Sequence, residues 1–402
     1  MKPVESTNLA FCENGAGYGG AVISLAELLK HITPDFTPHI YTSIGTPDYQ
    51  RLAELGHWRH LKANETINRK WLRTSGIPLA SMVDNLFNVL PNAFRYYTAF
   101  REDEIDTVYL NNDASCNLAP AIAGKLSGLP LIMHARGFTA DTRSNRWVLS
   151  CLEHCIAVSH AVKNNLLSLG LPPEKCSVVP EGLDLKLFHP RPPKSELRNE
   201  LGLTELQPVI TLVGGLIDWK GQDVVLDAAP AILKKFPQAI FLLVGSAYGL
   251  DDAFSKVIHQ RAKLPELSGS IRLLGSRGDI PDILSISSVV LHASTKPEPF
   301  GRTFLEGMAM GKPVIASNEG GPLDVIESGS DGILITPGSP DLLAQAVIHL
   351  LENPELRNRL GTNGARKAEN YSIESHTRAV LDALEPVTRH RRHQSSKIQE
   401  HH

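Results

Sequence analysis

Two doubly wound α/β domains, each built on a parallel sheet, are what this sequence predicts, and three observations carry the prediction. Short apolar runs recur along the 402 residues, near-continuous in Val, Ile and Leu rather than alternating. That is how parallel strands covered on both faces read. Each run is followed by a glycine-containing loop and then a helix-length amphipathic stretch, the rhythm of right-handed βαβ units. The rhythm breaks once, at the proline-rich stretch His189-Pro-Arg-Pro-Pro-Lys194, and then restarts, which reads as a linker between two sheets of similar size.

The elements follow in order. Asn8–Cys12 is the first strand, Glu13–Gly19 its loop and Gly20–Ile32 a helix. Strands are then expected at Pro38–Ser43, Thr107–Leu110, Leu129–His134, Cys155–Val158 and Cys176–Val179. After the linker they are expected at Val209–Val213, Ile240–Val244, Ile271–Leu274, Val289–His292, Val314–Ala316 and Gly332–Ile335. The domains are therefore placed at 1–188 and 189–371. A C-terminal helix at about 372–388 packs back on the first domain, and a basic tail at 389–402 reads as disordered.

Composition removes several function classes. A net charge of −3 and a pI near 6.6 argue against a protein whose work is neutralising nucleic-acid phosphates. No apolar run reaches membrane-spanning length, and the first residues are polar rather than signal-like. Cys12, Cys116, Cys151, Cys155 and Cys176 are odd in number and scattered, without metal-ligand spacing. The expectation is a reduced, cytoplasmic, two-domain protein whose ligand loops lie at the carboxyl ends of the strands, facing a central cleft.

The richest stretch is Ser294–Glu306. Glu298 lies between two prolines, in extended backbone, and the amides of Gly301, Arg302 and Thr303 open a helix, a ready site for an anion. Glu306 is placed to accept from a ribose diol. Thr303-x-x-Glu306 also satisfies a capping box, which would make Glu306 purely structural. Gly214-Gly215 through Lys220-Gly221 forms a second anion-friendly loop, with Lys220 as a point charge beside it, and Glu319-Gly-Gly-Pro322 forms a third. Three such loops in one sheet are more specific than any one of them.

Together these pieces resemble the retaining glycosyltransferases of family 4, with the two-Rossmann GT-B fold. The resemblance rests on Val213-Gly214 through Lys220-Gly221, on Glu298-Pro-Phe300-Gly301 with Glu306, on Gly311-Lys-Pro-Val with Gly320-Gly321, and on Val178-Val-Pro-Glu181-Gly-Leu-Asp184 with Phe188. It implies transfer of a sugar from a nucleotide-diphosphate donor, with configuration retained, no metal and no cofactor. It makes Glu306 the ribose carboxylate, Glu298 the carboxylate near the donor sugar and Lys220 the diphosphate lysine, with Gly214, Gly215, Phe300, Gly301, Arg302 and Thr303 as further donor contacts. The base is expected against Gly275–Asp279, with Arg277, and UDP is the first choice of nucleotide, GDP the next. A same-face route, in which the leaving phosphate deprotonates the acceptor, is implied by the resemblance alone. The chain departs from the pattern at Gly215, where the family has arginine, at Glu181 for the hinge asparagine, and at Asp324 for a glutamate. Arg302 is the expected replacement for the missing arginine.

In the first half, Gly15-Ala-Gly17-Tyr18-Gly19-Gly20 contains G-x-G-x-x-G, but the second expected strand ends in Ser43-Ile-Gly with no ribose acid, so a dinucleotide is disfavoured. By resemblance, Gly19 and Gly20 face donor phosphates and Gly17 and Tyr18 the acceptor. His134 ends a strand, by resemblance near the transferred sugar, with the alternative of a satisfied buried imidazole, and Arg136 is expected as an acceptor or phosphate contact. Residues 57–101 carry a local excess of five positive charges interleaved with aromatics, the composition of a surface touching anionic lipid. A glycan or lipid-linked acceptor in surface polysaccharide assembly, with peripheral attachment at the inner membrane face, suits that surface. The alternatives are a GT-B protein that binds nucleotide sugar without transfer, and a nucleotide-sugar epimerase.

Overall fold

The structure is a computed structural model and describes residues 6–15, 19–62, 83–247, 253–267 and 269–399. The chain forms two units. The first takes the residues up to Gly182 together with the C-terminal helix from Ile373; the second is Leu183–Ser372.

Among the described residues, the first unit holds a sheet of seven strands: β1 (Thr7–Glu13), β2 (Phe36–Thr42), β3 (His57–His60), β4 (Thr107–Asn111), β5 (Leu131–Ala135), β6 (His154–Ala157) and β7 (Cys176–Val178), in the order β3-β2-β1-β4-β5-β6-β7. The second holds six: β8 (Val209–Val213), β9 (Ile240–Val244), β10 (Ile271–Gly275), β11 (Val289–His292), β12 (Val314–Ser317) and β13 (Ile333–Ile335), in the order β10-β9-β8-β11-β12-β13. Each pair of neighbouring strands among these is parallel. This is the α/β, doubly wound, GT-B architecture the sequence predicts. In each sheet the strand order reverses between two neighbours, β1 and β4 in one, β8 and β11 in the other. Loops leaving the carboxyl ends of such a pair diverge and open a crevice.

The first core joins Leu9, Phe11, Leu25, Ile40, Tyr109, Ile132 and Ile156 to Val380 and Leu384 of the final helix. The second joins Ile210, Leu212, Val225, Phe241, Leu243 and Leu291 to helix residues such as Val347 and Leu350. Each such side chain contributes about 1.5–3 kcal/mol on burial, which holds the strand ends still enough to aim their loops.

Two differences from expectation have physical causes, and a third stands at the C-terminus. The first unit ends at Gly182 rather than 188, because Leu183 pairs with Ser372 and its amide donates to the Tyr371 carbonyl at 2.9 Å. The proline-rich stretch is no free linker, since the helix Ser195–Glu200 follows it and buries Leu197, with Leu203, in a core of the second unit. Where a disordered tail is expected, the last helix continues, spanning Ile373–Gln399. The edge strand β3, His-Trp-Arg-His, has no apolar run to announce it. Among the described residues no helix is long and apolar enough to cross a membrane.

Candidate functional site

In the second unit the crevice between β8 and β11 is built by two loops that hold each other. Gly221 has a φ of 81°, and a Cβ there would lie 1.9 Å from the Ala293 carbonyl oxygen, so only glycine lets the β8 loop touch the end of β11. The Thr295 amide donates to the Trp219 carbonyl at 2.8 Å, and the Gly321 amide to the Glu298 carbonyl at 2.9 Å. Glu298 is thus fixed by neighbours on both sides.

Lys220 Nζ lies 2.6 Å from Glu298 Oε1 and 2.7 Å from Oε2. Ser294 Oγ donates to Oε2 at 2.9 Å, and His292 Nε2 lies 3.5 Å from the same oxygen. Burial alone would raise the Glu298 carboxyl, but Lys220 and His292 outweigh it and hold it down at about 2. Glu298 is therefore a carboxylate at any physiological pH. Lys220 Nζ also sits 4.2 Å above the Trp219 ring.

The helix Arg302–Ala309 starts beside this pair, with Gly301 as its N-cap and no side-chain cap. Thr303-x-x-Glu306 is consequently not a capping box. Glu306 lies past the first turn, half-buried, and its carboxyl is raised by burial with Arg302 opposing. Arg302 Nε is 3.8 Å from Glu306 Oε1. One crevice edge of the second unit thus carries Lys220, Glu298, Arg302 and Glu306. Gly214 donates its amide to the Val244 carbonyl and Gly215 accepts from Gln222 Nε2 at 2.8 Å, so the loop backbone is braced from behind.

Two predicted donor contacts are placed differently. The Phe300 ring is 3% exposed and packs 5.6 Å from Phe304, so it anchors the loop from the core. Arg277 is already engaged by Asp279 at 2.7 Å and 2.8 Å and by Glu200 at 2.8 Å, which raises its affinity for its proton and occupies its fork.

In the first unit the carboxyl ends of β1, β4 and β5 share a buried polar chain that sequence reasoning missed. Glu13 ends β1 fully buried. Asn112 Nδ2 donates to both its oxygens at 2.8 Å, the Gly15 amide donates at 2.7 Å, and Asn111 Nδ2 donates as well. Asn111 Oδ1 in turn accepts from Arg136 Nε at 2.8 Å, and Arg136 Nη1 reaches Glu181 Oε1 at 2.5 Å. Burial raises the Glu13 carboxyl, against the pull of these donors and Arg136. Arg136, expected to meet acceptor or phosphate, instead sits inside the unit as the counter-ion of this chain. Glu181 at the hinge position has a matching physical reason, since an asparagine there would leave the guanidinium without an ion pair.

His134 is fully buried. Its Nδ1 faces the Tyr109 hydroxyl at 2.5 Å and Arg136 Nη2 at 3.3 Å, both donors, so Nδ1 accepts and the proton resides on Nε2. Burial first, then Arg136 and His376, hold the imidazole neutral. The structure therefore places His134 in the packing, beneath the strand ends. Gly19 caps the helix Gly20–Lys30, its carbonyl accepting from the Val22 and Ile23 amides at 3.1 Å. Gly17 and Tyr18 lie outside the described residues.

Comparison with known proteins decides the family. The profile for Glycosyl transferases group 1 matches residues 193–367, and that for Glycosyltransferase Family 4 matches residues 18–187. The chain belongs to glycosyltransferase family 4. It is 32% identical to Spore coat protein SA of Bacillus subtilis (strain 168), over 49% of this chain and 54% of that protein, so it spans about half that relative's length. It is 26% identical to the UDP-Gal:alpha-D-GlcNAc-diphosphoundecaprenol alpha-1,3-galactosyltransferase of Escherichia coli, over 74% of this chain and 80% of that one. Anabaena HepE, solved in complex with UDP and glucose, shares the fold with a TM-score of 0.81 at 24% identity, covering 94% of this chain and 100% of the other. Glu298 and Glu306, the two carboxylates of the resemblance, both stand on the crevice edge of the second unit.

Proposed function

We propose that this family-4 protein moves a sugar from a nucleotide-diphosphate sugar to a glycan or lipid-linked acceptor in surface polysaccharide assembly, with retention and without a metal. The observation that carries the reading is the Lys220–Glu298 pair, with Arg302 and Glu306 at the start of the adjoining helix. A diphosphate arriving there meets a lysine, an arginine and the amides of a helix N-terminus, which together stabilise the charge that grows on the leaving group. Glu306, whose proton affinity burial raises, is suited to a neutral diol such as ribose. The first unit is assigned the acceptor. UDP is the preferred nucleotide because the E. coli relative is named for a UDP-galactose donor and the HepE structure contains UDP; GDP is second. Departure and attack on the same face of the sugar fit a site whose fixed carboxylate, Glu298, is tied to a lysine.

A thermal-shift panel of UDP- and GDP-sugars tests the donor. The matching one, at 100 times its dissociation constant, stabilises the second unit by about 2.7 kcal/mol. Nucleotide release with an acceptor mixture, undiminished by EDTA, separates transfer from binding alone and from epimerisation. Arg302→Ala should raise the KM for the donor; an unchanged KM removes Arg302 as the stand-in for the family arginine. If no nucleotide sugar shifts the melting curve, the reading fails.

A second reading concerns the acceptor surface. Leu86, Phe87, Leu90 and Phe94 are 54%, 45%, 47% and 66% exposed. Phe87, Leu90 and Phe94 follow helical spacing across the start of the helix Leu90–Glu102, with Arg95 and Arg101 exposed on the same helix. Apolar side chains flanked by arginines support contact with anionic lipid. Part of the basic stretch, including Arg69, Lys70 and Arg73, lies outside the described residues. Leu90→Ser with Phe94→Ser should abolish sedimentation with phosphatidylglycerol vesicles; equal sedimentation of wild type and variant would exclude this surface.

A further inference from the structure

The second unit carries a second cationic concavity, at the opposite end of its sheet from Lys220 and Glu298. It lies where the chain enters β11 and β12, at the amino ends of those strands, and has a volume of about 220 Å³. Arg198, Lys312 and Arg357 line it together with Ser285, Ser288 and Asn358, and no carboxylate is among the lining residues. The three cations come from separate segments and are gathered by packing. Gly311 turns the chain with a φ of 69° after the helix Arg302–Ala309. A Cβ at Gly361 would lie 2.2 Å from the Gly311 carbonyl oxygen, so only a glycine there lets the helix Pro354–Ala368 rest on this turn. Arg357 is four residues earlier on the same helix, hence on the same face, and is carried to the side of Lys312.

The cations are used unevenly. Lys312 Nζ donates to the Ser285 carbonyl at 2.6 Å, and Arg198 donates to the carbonyls of Thr204 at 2.7 Å and Ile286 at 3.1 Å. Arg357 forms no side-chain hydrogen bond or ion pair with any described residue. Of the acids around it, Asp282 is already held by Lys194 at 2.6 Å and Arg191 at 3.5 Å, and Glu205 attracts Arg198 from outside the lining. Three like charges are therefore brought together with no counter-ion among the lining residues. Burial first, and then the neighbouring Arg198 and Arg357, push the Lys312 ammonium down to about 8. An arrangement of this kind costs stability unless an anion fills it.

We propose that this concavity binds a small soluble phosphate-bearing molecule, with Arg357 and Lys312 as its principal ligands. Its size accommodates a diphosphate, and the fork of Arg357 offers two donors to adjacent phosphate oxygens. Arg198, committed to carbonyls through both terminal nitrogens, supplies charge and wall. The site is independent of donor binding, because it lies at the amino ends of the strands, away from the ligand crevice at their carboxyl ends.

Calorimetric titration of the full chain with inorganic pyrophosphate tests it. Binding should persist in Lys220→Gln, which alters only the crevice at the opposite strand ends. It should weaken about tenfold in Arg357→Gln and again in Lys312→Gln, the scale of one lost charge-assisted hydrogen bond. UDP affinity should stay as in wild type in both. Lys312→Gln keeps a donor for the Ser285 carbonyl, and Arg357 is only half-buried, so either variant is expected to fold; if one does not, the other decides. Pyrophosphate affinity equal in wild type and Arg357→Gln, or lost in Lys220→Gln alone, would overturn the site.

Discussion

Glu298→Gln is expected to cut turnover by about 10²- to 10³-fold, the scale seen when one fixed charge or donor facing a transition state is removed, while nucleotide-diphosphate affinity holds or tightens. The geometry imposes that split. Lys220 lies within 2.7 Å of both Glu298 oxygens, so an incoming diphosphate competes with the carboxylate for the same ammonium. The amide introduced by Glu298→Gln carries no charge and releases Lys220 to the phosphates. On the proposed function, what is lost is the negative charge beside the donor sugar, where positive charge would develop at the anomeric carbon. Lys220→Ala should behave oppositely, weakening donor binding and turnover together, because the unpaired carboxylate then repels the diphosphate. Steady-state kinetics with a UDP titration of each variant checks both, and a Glu298→Gln enzyme with wild-type turnover would remove Glu298 from the chemistry. The pair also sets a pH signature. Glu298 titrates at about 2 in the fold, against 4.5 for an unperturbed carboxyl, so it contributes stability that is complete above 4.5 and lost as pH falls towards 2. That acid-side loss should vanish in Glu298→Gln.

How much of this was legible depends on how each residue is held. Strands β8, β9 and β11 stand where their apolar runs predict them, because a strand covered on both faces must be apolar throughout. Strand ends are less readable. β4 extends to Asn111 and β5 to Ala135, past the last apolar residue in one case and past a histidine in the other, since backbone pairing continues where burial no longer demands hydrophobes. Lys220 and Glu298 are 78 residues apart, and only the motif pattern links them before the fold does. Glu13 had no such pattern. A carboxylate closing an apolar strand reads as the first residue of a loop, and its partners Asn111 and Asn112 arrive only because β4 crosses over to lie beside β1. The cationic concavity is more hidden still, because Arg198, Lys312 and Arg357 meet through a glycine contact that no periodicity records.

Arg136→Ala is expected to destabilise the first unit by about 3–5 kcal/mol, the cost of leaving a buried charge without its partner. Arg136 has a side chain only 2% exposed and ties Glu181, at 2.5 Å, to Asn111 and through it to Glu13. Removing it strands two carboxylates in the packing, one of them already reluctant to ionise. The melting temperature of the first unit should fall by about 10 °C for a domain of this size. Arg136→Lys should recover little, because an ammonium cannot reach Asn111 and Glu181 from one planar fork. Arg136→Met combined with Glu181→Leu should recover much of the loss, since an apolar pair of similar volume removes the need for charge compensation. That double variant separates two roles the single one confounds. If it melts near wild type yet transfers no sugar, the ion pair is retained for positioning the strand ends that carry Glu13 and His134. If Arg136→Ala alone leaves the melting curve in place, the buried chain is not what holds those ends.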